Sequence, residues 1–106
     1  MSKRERDVDA VFQALADPTR RAVMRMLSDG PRTATEIAER LPVSRQAVSK
    51  HLVALDEAGL VRGERAGREV RYRLTPRPMA GALSWMTEVG AEWDERLERL
   101  RRHLRR

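Results

Sequence analysis

The sequence predicts a mainly α-helical domain that carries a small β-hairpin and ends in a long helix. Three observations lead there. Apolar residues recur at helical spacing through the first half of the chain. After Leu60 the pattern changes to strand-like alternation. From Met79 to Leu104 it returns to steps of four and three residues.

Residues 1–7 are polar and are expected to fray. The next segment places Val8, Val11, Phe12 and Leu15 on one helical side and ends near Ala16. Asp17 suits an N-cap, and Pro18 suits the first helical position, where no N–H is needed. The second helix carries Ala22, Val23, Met26 and Leu27 and stops at Asp29-Gly30-Pro31, since Gly30 tolerates a left-handed cap and Pro31 cannot continue a helix. Thr33 and Glu36 have capping-box spacing, opening a short third helix that buries Ile37, Ala38 and Leu41 before Pro42 breaks it. Val43 and Val48 flank the cap Ser44 as a hydrophobic staple, and the fourth helix ends at Gly59.

Leu60–Arg62 and Val70–Leu74 are expected to be two short strands around a tip at residues 64–68. In the second, Val70, Tyr72 and Leu74 should face inward, with Arg71 and Arg73 outward. Three helices followed by a basic hairpin make a winged helix-turn-helix. The organisation is one domain, 1–106, with a core at 8–75, a wing at 60–75 and a final helix at 78–104. That helix carries Met79, Leu83, Met86, Gly90, Trp93, Leu97, Leu100 and Leu104 as a heptad seam, interrupted only by Gly90. A helix of this length would overhang a three-helix core, so the seam, with Val8 and Val11 of the first helix, is assigned to a dimer contact. Trp93 and Trp85 are its candidate anchors.

The helix after Ser44 is the most informative segment. Val48, Leu52 and Leu55 define its buried side, leaving Arg45, Gln46, Ser49 and Lys50 on the opposite face. Arg with guanine and Gln with adenine are the bidentate pairings that the major groove favours. Arg45, Gln46 and Ser49 are therefore assigned to base edges and Lys50 to a phosphate. Thr35, Ser44 and His51 complete the set expected at DNA, His51 as a packed or phosphate-contacting side chain rather than a metal ligand. Arg65 and Arg68 at the hairpin tip either reach the backbone or adjacent minor groove or form a solvated turn, and Arg71 follows nearer the strand base.

Composition agrees. The 106 residues hold 22 Lys and Arg against 16 Asp and Glu, a formal charge of +6 that suits a polyanionic partner. Cysteine is absent, which excludes disulfides and thiolate metal ligands. The two histidines, His51 and His103, have no close partner ligand, so no metal site and no cofactor are expected. No apolar run approaches the ~18 residues of a membrane span, and the first residues lack a signal-peptide core, so a cytoplasmic protein is expected. No serine has an identifiable His–acid pairing and no glycine-rich phosphate loop is present, which argues against an enzyme.

The succession Leu15-Ala16-Asp17-Pro18-Thr19-Arg20-Arg21, Thr35-Glu36-Ile37-Ala38, Val43 to Leu52 and Ala58-Gly59-Leu60-Val61 resembles the ArsR-type bacterial transcriptional repressors. The likeness runs from about Val8 to Leu74, and weakly along the last helix. It implies a homodimeric winged-helix repressor bound to an imperfect palindrome, often in its own promoter. Residues 33–41 lack the cysteines of the arsenic-, cadmium- or lead-sensing relatives, and the last helix lacks the Asp-x-His and His-x-x-Glu pairs of zinc sensors. The chain thus resembles the branch without metal sensing, whose members often neighbour genes for small hydrophobic-ligand-binding proteins; the resemblance names no inducer. Two other readings stay open at this point: a winged-helix module for protein–protein contact with incidental DNA binding, and a metal-responsive repressor with an unrecognised site.

Overall fold

A computed structural model describes residues 1–105; Arg106, the last residue of the expected domain, lies outside them. The elements are α1 (Lys3–Leu15), α2 (Pro18–Leu27), β1 (Arg32–Thr33), α3 (Ala34–Arg40), α4 (Arg45–Glu57), β2 (Val61–Ala66), β3 (Glu69–Leu74) and α5 (Arg77–Leu104).

The helix starts follow local side-chain chemistry. Thr33 and Glu36 form a reciprocal capping box: the Thr33 hydroxyl accepts from Glu36 N at 3.1 Å, and Glu36 Oε1 accepts from Thr33 N at 3.0 Å. Ser44 caps α4 by accepting from Ala47 N at 3.1 Å. The first residues do not fray as expected. Ser2 accepts from Glu5 N at 3.2 Å, so α1 begins at Lys3.

Asp17-Pro18-Thr19-Arg20 joins two helix ends. Asp17 Oδ1 accepts from Thr19 N at 2.7 Å and from Arg20 N at 3.1 Å, capping α2. The Arg20 side chain turns back and donates to the carbonyls of Ala14 (2.7 Å) and Gln13 (3.1 Å), while Arg21 donates to Leu15 O at 2.6 Å. The carbonyls at the end of α1 thereby receive cationic donors, that of Gln13 in addition to the Ala16 N–H.

The hairpin is longer than the sequence suggests. β2 and β3 pair antiparallel from Val61 opposite Leu74 to Ala66 opposite Glu69, leaving Gly67 and Arg68 as the turn, with Gly67 at φ +66°. Residues 64–66, expected in the loop, belong to the ladder. A short strand went unanticipated: β1 pairs with β3, Arg32 opposite Tyr72, giving the order β1-β3-β2. Val70, expected inward, is exposed because it lies on the wing beyond the core, whereas Tyr72 and Leu74 pack against the core.

The core draws Val11 and Ala14 from α1, Val23, Met24 and Leu27 from α2, Ile37 from α3, and Val48, Leu52 and Leu55 from α4. Leu60, Val61 and Ala82 close it. Met24 is buried at 8% exposure, whereas Met26, read from sequence on the apolar side of α2, packs at the core's edge. Val8 and Val11, assigned from sequence to a dimer contact, are instead buried within the protomer and offer it no surface; Val11 is 0% exposed. The helical stripe was visible in sequence, but it packs against the chain's own core.

At 28 residues, α5 is about 42 Å long and stretches the molecule to 68 × 30 × 22 Å. It packs along α1, where the Phe12 and Trp85 rings meet edge-on at 5.6 Å and Arg4 pairs with Glu88 at 3.0 Å. Its fully buried residue is Ala82. Met79, Leu83, Met86, Trp93, Leu97, Leu100 and Leu104 are exposed, Trp93 at 56% and Leu83 at 61%.

Candidate nucleic-acid interface

The third and fourth helices set the site. Ile37 anchors α3, and Val48, Leu52 and Leu55 anchor α4, each with no more than 1% exposure. Fixing that side of α4 in the core leaves Arg45, Gln46, Ser49 and Lys50 exposed on the other, as the spacing predicts. The Ser44 hydroxyl is occupied as the cap acceptor and retains its proton for donation.

Beside α4 lies an open cleft of about 230 Å³ between the start of α3, the outer face of α4 and the wing. Thr35, Arg45, Ser49 and Arg68 line it together, although they come from three separate stretches of sequence, α3, α4 and the wing turn. Two guanidiniums and two hydroxyls converge on this concave surface, with the Glu69 carboxylate at its wing side, an arrangement that suits hydrogen bonding to nucleic acid. Arg65 is exposed on β2 opposite Val70, just below the turn. Among the described residues, no carboxylate forms an ion pair with Arg45, Lys50, Arg65 or Arg68.

Arg71 differs. Its guanidinium lies 3.9 Å from Glu36 and 3.7 Å from Glu69, so part of its charge is spent inside the protein. Arg73 pairs with Glu64 at 2.8 Å. The outward alternation of β3 was legible from sequence, but not these carboxylates on α3, β2 and β3 itself. His51 is half-buried at the margin of α4, near enough to Asp17 to add to the lowering of that carboxyl's pKa. Two side chains outside the expected set also bear on the site. Arg20 braces the α1–α2 corner, and Val53 stands 57% exposed on α4.

Two carboxyls are held below their usual range. At Asp17 the main cause is the Arg20 backbone N–H, followed by that of Thr19 and by the charges of His51 and Arg20. At Glu36 the causes are the Thr33 backbone N–H, the Thr33 hydroxyl, and then the Arg71 and Arg32 charges. Both carboxylates act as helix caps. Among the described residues no group of three or more His, Cys, Asp or Glu is placed to hold a metal ion, and no helix is long and apolar enough to cross a membrane.

This geometry has close counterparts. A helix-turn-helix domain family model matches residues 15–64. The HTH-type transcriptional regulator Rv2034 of Mycobacterium tuberculosis is 42% identical over 92 residues, covering 87% of this chain and 83% of that protein. The chain belongs to the ArsR-type family of winged helix-turn-helix transcriptional regulators. An ArsR-like transcriptional regulator from Rhodococcus sp. RHA1 superposes with a TM-score of 0.80 at 40% identity, covering 92% of each chain. The transcriptional repressor SdpR of Bacillus subtilis is 36% identical over 76 residues, 72% of this chain and 84% of that protein. In this ArsR-type chain, β2 and β3 form the wing and α3 and α4 the helix-turn-helix.

Proposed function

We propose that this ArsR-type regulator is a homodimer that represses transcription by occupying a palindromic operator in double-stranded DNA, within the cytoplasm. The observation that carries this reading is the outer face of α4, where Arg45, Gln46, Ser49 and Lys50 stand exposed beside the cleft that Arg68 and Thr35 share. Arg45, Gln46 and Ser49 take base edges in the major groove, and Lys50 takes a phosphate. Thr35, Ser44 and His51 add contacts to the adjoining backbone. Arg65 and Arg68, without ion-pair partners among the described residues, extend the grip to the flanking duplex, with Arg71 a weaker contributor because Glu36 and Glu69 already draw on it.

The dimer rests on α5. Met79, Leu83, Met86, Trp93, Leu97 and Leu100 expose an apolar stripe along a helix that extends past the core, and a second copy of the same stripe would cover it. Residues 8–75 then serve DNA and 78–104 serve association, setting two recognition helices about one DNA turn apart. The name of SdpR supports repression as the outcome.

Footprinting and titration against the promoter region of the chain's own gene test the whole reading. A preference of about 10³ or more over random duplex is expected. With about 6–10 phosphate contacts, affinity should fall by ~10³–10⁵ between ~50 and ~200 mM salt. Equal binding to random duplex, or affinity indifferent to salt, would overturn it.

A further inference from the structure

Val53 is the one apolar side chain exposed on α4; the other exposed positions of that helix are Arg45, Gln46, Ser49, Lys50, Asp56 and Glu57. Single exposed apolar residues are ordinary on protein surfaces, so exposure alone decides nothing. Position does. At about 100° per residue, Gln46, Ser49 and Val53 fall within roughly 60° of arc, forming one ridge along the outermost line of the helix. Val48, Leu52 and Leu55 lie on the other side, in the core. From Gln46 to Val53 the ridge climbs about 10.5 Å, close to the ~12 Å width of the major groove.

We infer that Val53 is a specificity-determining residue that packs against the C5-methyl group of a thymine in the major groove. The inference rests on the proposed DNA-binding function and adds to it the chemical identity of one recognised base. Val53 has no hydrogen-bonding atom, so between Gln46, Ser49 and Lys50 on its N-terminal side and the carboxylates Asp56 and Glu57 on its C-terminal side it can read only an apolar feature. In the major groove the thymine methyl is that feature. Lys50 and Gln46, one and two turns earlier, hold the helix to phosphate and to a neighbouring base. The valine then covers the methyl and takes both out of water. α5, the candidate dimer helix, packs along α1, so this ridge remains open to DNA.

The test begins by selecting the protein's preferred duplexes from a random-sequence library and replacing each thymine in turn with uracil, which lacks only the methyl. For the wild type, one replacement per half-site should weaken binding about fourfold, the effect of burying one methyl group. Val53→Ser should bind the thymine and uracil duplexes equally. The substitution is at an exposed helix position, and unfolding curves for both proteins check that each is folded. Wild-type binding indifferent to every uracil replacement would overturn the inference while leaving the DNA-binding function intact. The same outcome for the inference follows if Val53→Ser keeps the full uracil penalty. Failure to enrich any sequence would overturn the function and the inference together.

Discussion

Thr75 donates its hydroxyl to the Gly59 carbonyl over 2.6 Å, tying the end of α4 to the segment that opens α5. The Thr75 backbone N–H adds a bond to Leu60 O at 2.9 Å. Gly59 has φ +76°, and a Cβ there would lie 3.2 Å from Pro78 Cγ in the first turn of α5. The candidate recognition helix and the candidate dimer helix are therefore joined through a tight corner.

Substitutions at that corner should rank in a definite order. Thr75→Val removes one hydrogen bond and should cost about 1 kcal/mol. Gly59→Ala forces a side chain into left-handed backbone, about 1–2 kcal/mol by itself, and also presses on Pro78. Urea unfolding should find Gly59→Ala the less stable variant. The reverse order would mean that the corner relaxes freely.

The capping carboxylates give the fold an acid dependence of known sign. Asp17 and Glu36 have folded-state pKa values below their unfolded ones, so the unfolded chain takes up protons first as pH falls. Their contribution is complete above the ordinary carboxylate range, about 3.9–4.3, and is lost as pH drops through the lowered folded values. The urea midpoint should stay level from neutrality to about pH 5 and decline below it. In the double variant Asp17→Asn, Glu36→Gln the acid slope should flatten. A slope equal to that of the wild type would place the acid sensitivity elsewhere.

These caps were legible in the sequence because a cap is local: Thr33 and Glu36, or Asp17 and the N–H of Arg20, meet at a fixed offset whatever the rest of the chain does. The outward face of α4 was legible for a similar reason, since three core residues fix its rotation. Wing length was not. Glu64, Arg65 and Ala66 carry no strand periodicity, and they pair because β3 offers them a ladder and Glu64 meets Arg73 at 2.8 Å. The engagement of Arg71 was invisible as well, since Glu36 arrives from α3 only after folding. Val8 and Val11 show a further restriction. Periodicity reveals that a helix side is apolar without saying whether its cover is the chain's own core or a second molecule.

Arg45 and Lys50 should separate under mutation although both are exposed cations on one helix. Arg45, at the first turn of α4 and beside Ser49 and Arg68 in the cleft, is assigned to a base edge. Arg45→Ala should cost about 1–3 kcal/mol on the preferred duplex and relax the preference at one position. Lys50→Ala should weaken binding uniformly across sequences and lower the salt slope by about 1. Titrations of each variant against preferred and scrambled duplexes at several salt concentrations measure both effects. If Arg45→Ala lost affinity equally for every duplex, Arg45 would be a phosphate contact.

Trp93 offers the sharpest test of the dimer. Trp85 already spends part of its surface on Phe12, at 5.6 Å between ring centroids. Trp93, two turns further along α5, has the Arg96 guanidinium 5.8 Å from its ring centroid and stays 56% exposed. A large aromatic side chain on an apolar stripe contributes most when a partner covers it, and a carboxylate in its place would have to leave water to be covered by the partner's apolar stripe. Trp93→Glu should therefore sediment as a monomer while retaining the helical circular dichroism of the wild type. Because α4 is fixed by the protomer's own core, the monomer should still hold DNA weakly but lose its preference for a two-half-site operator over a single half-site. A variant that sediments as a dimer, with that preference intact, would take Trp93 out of the interface.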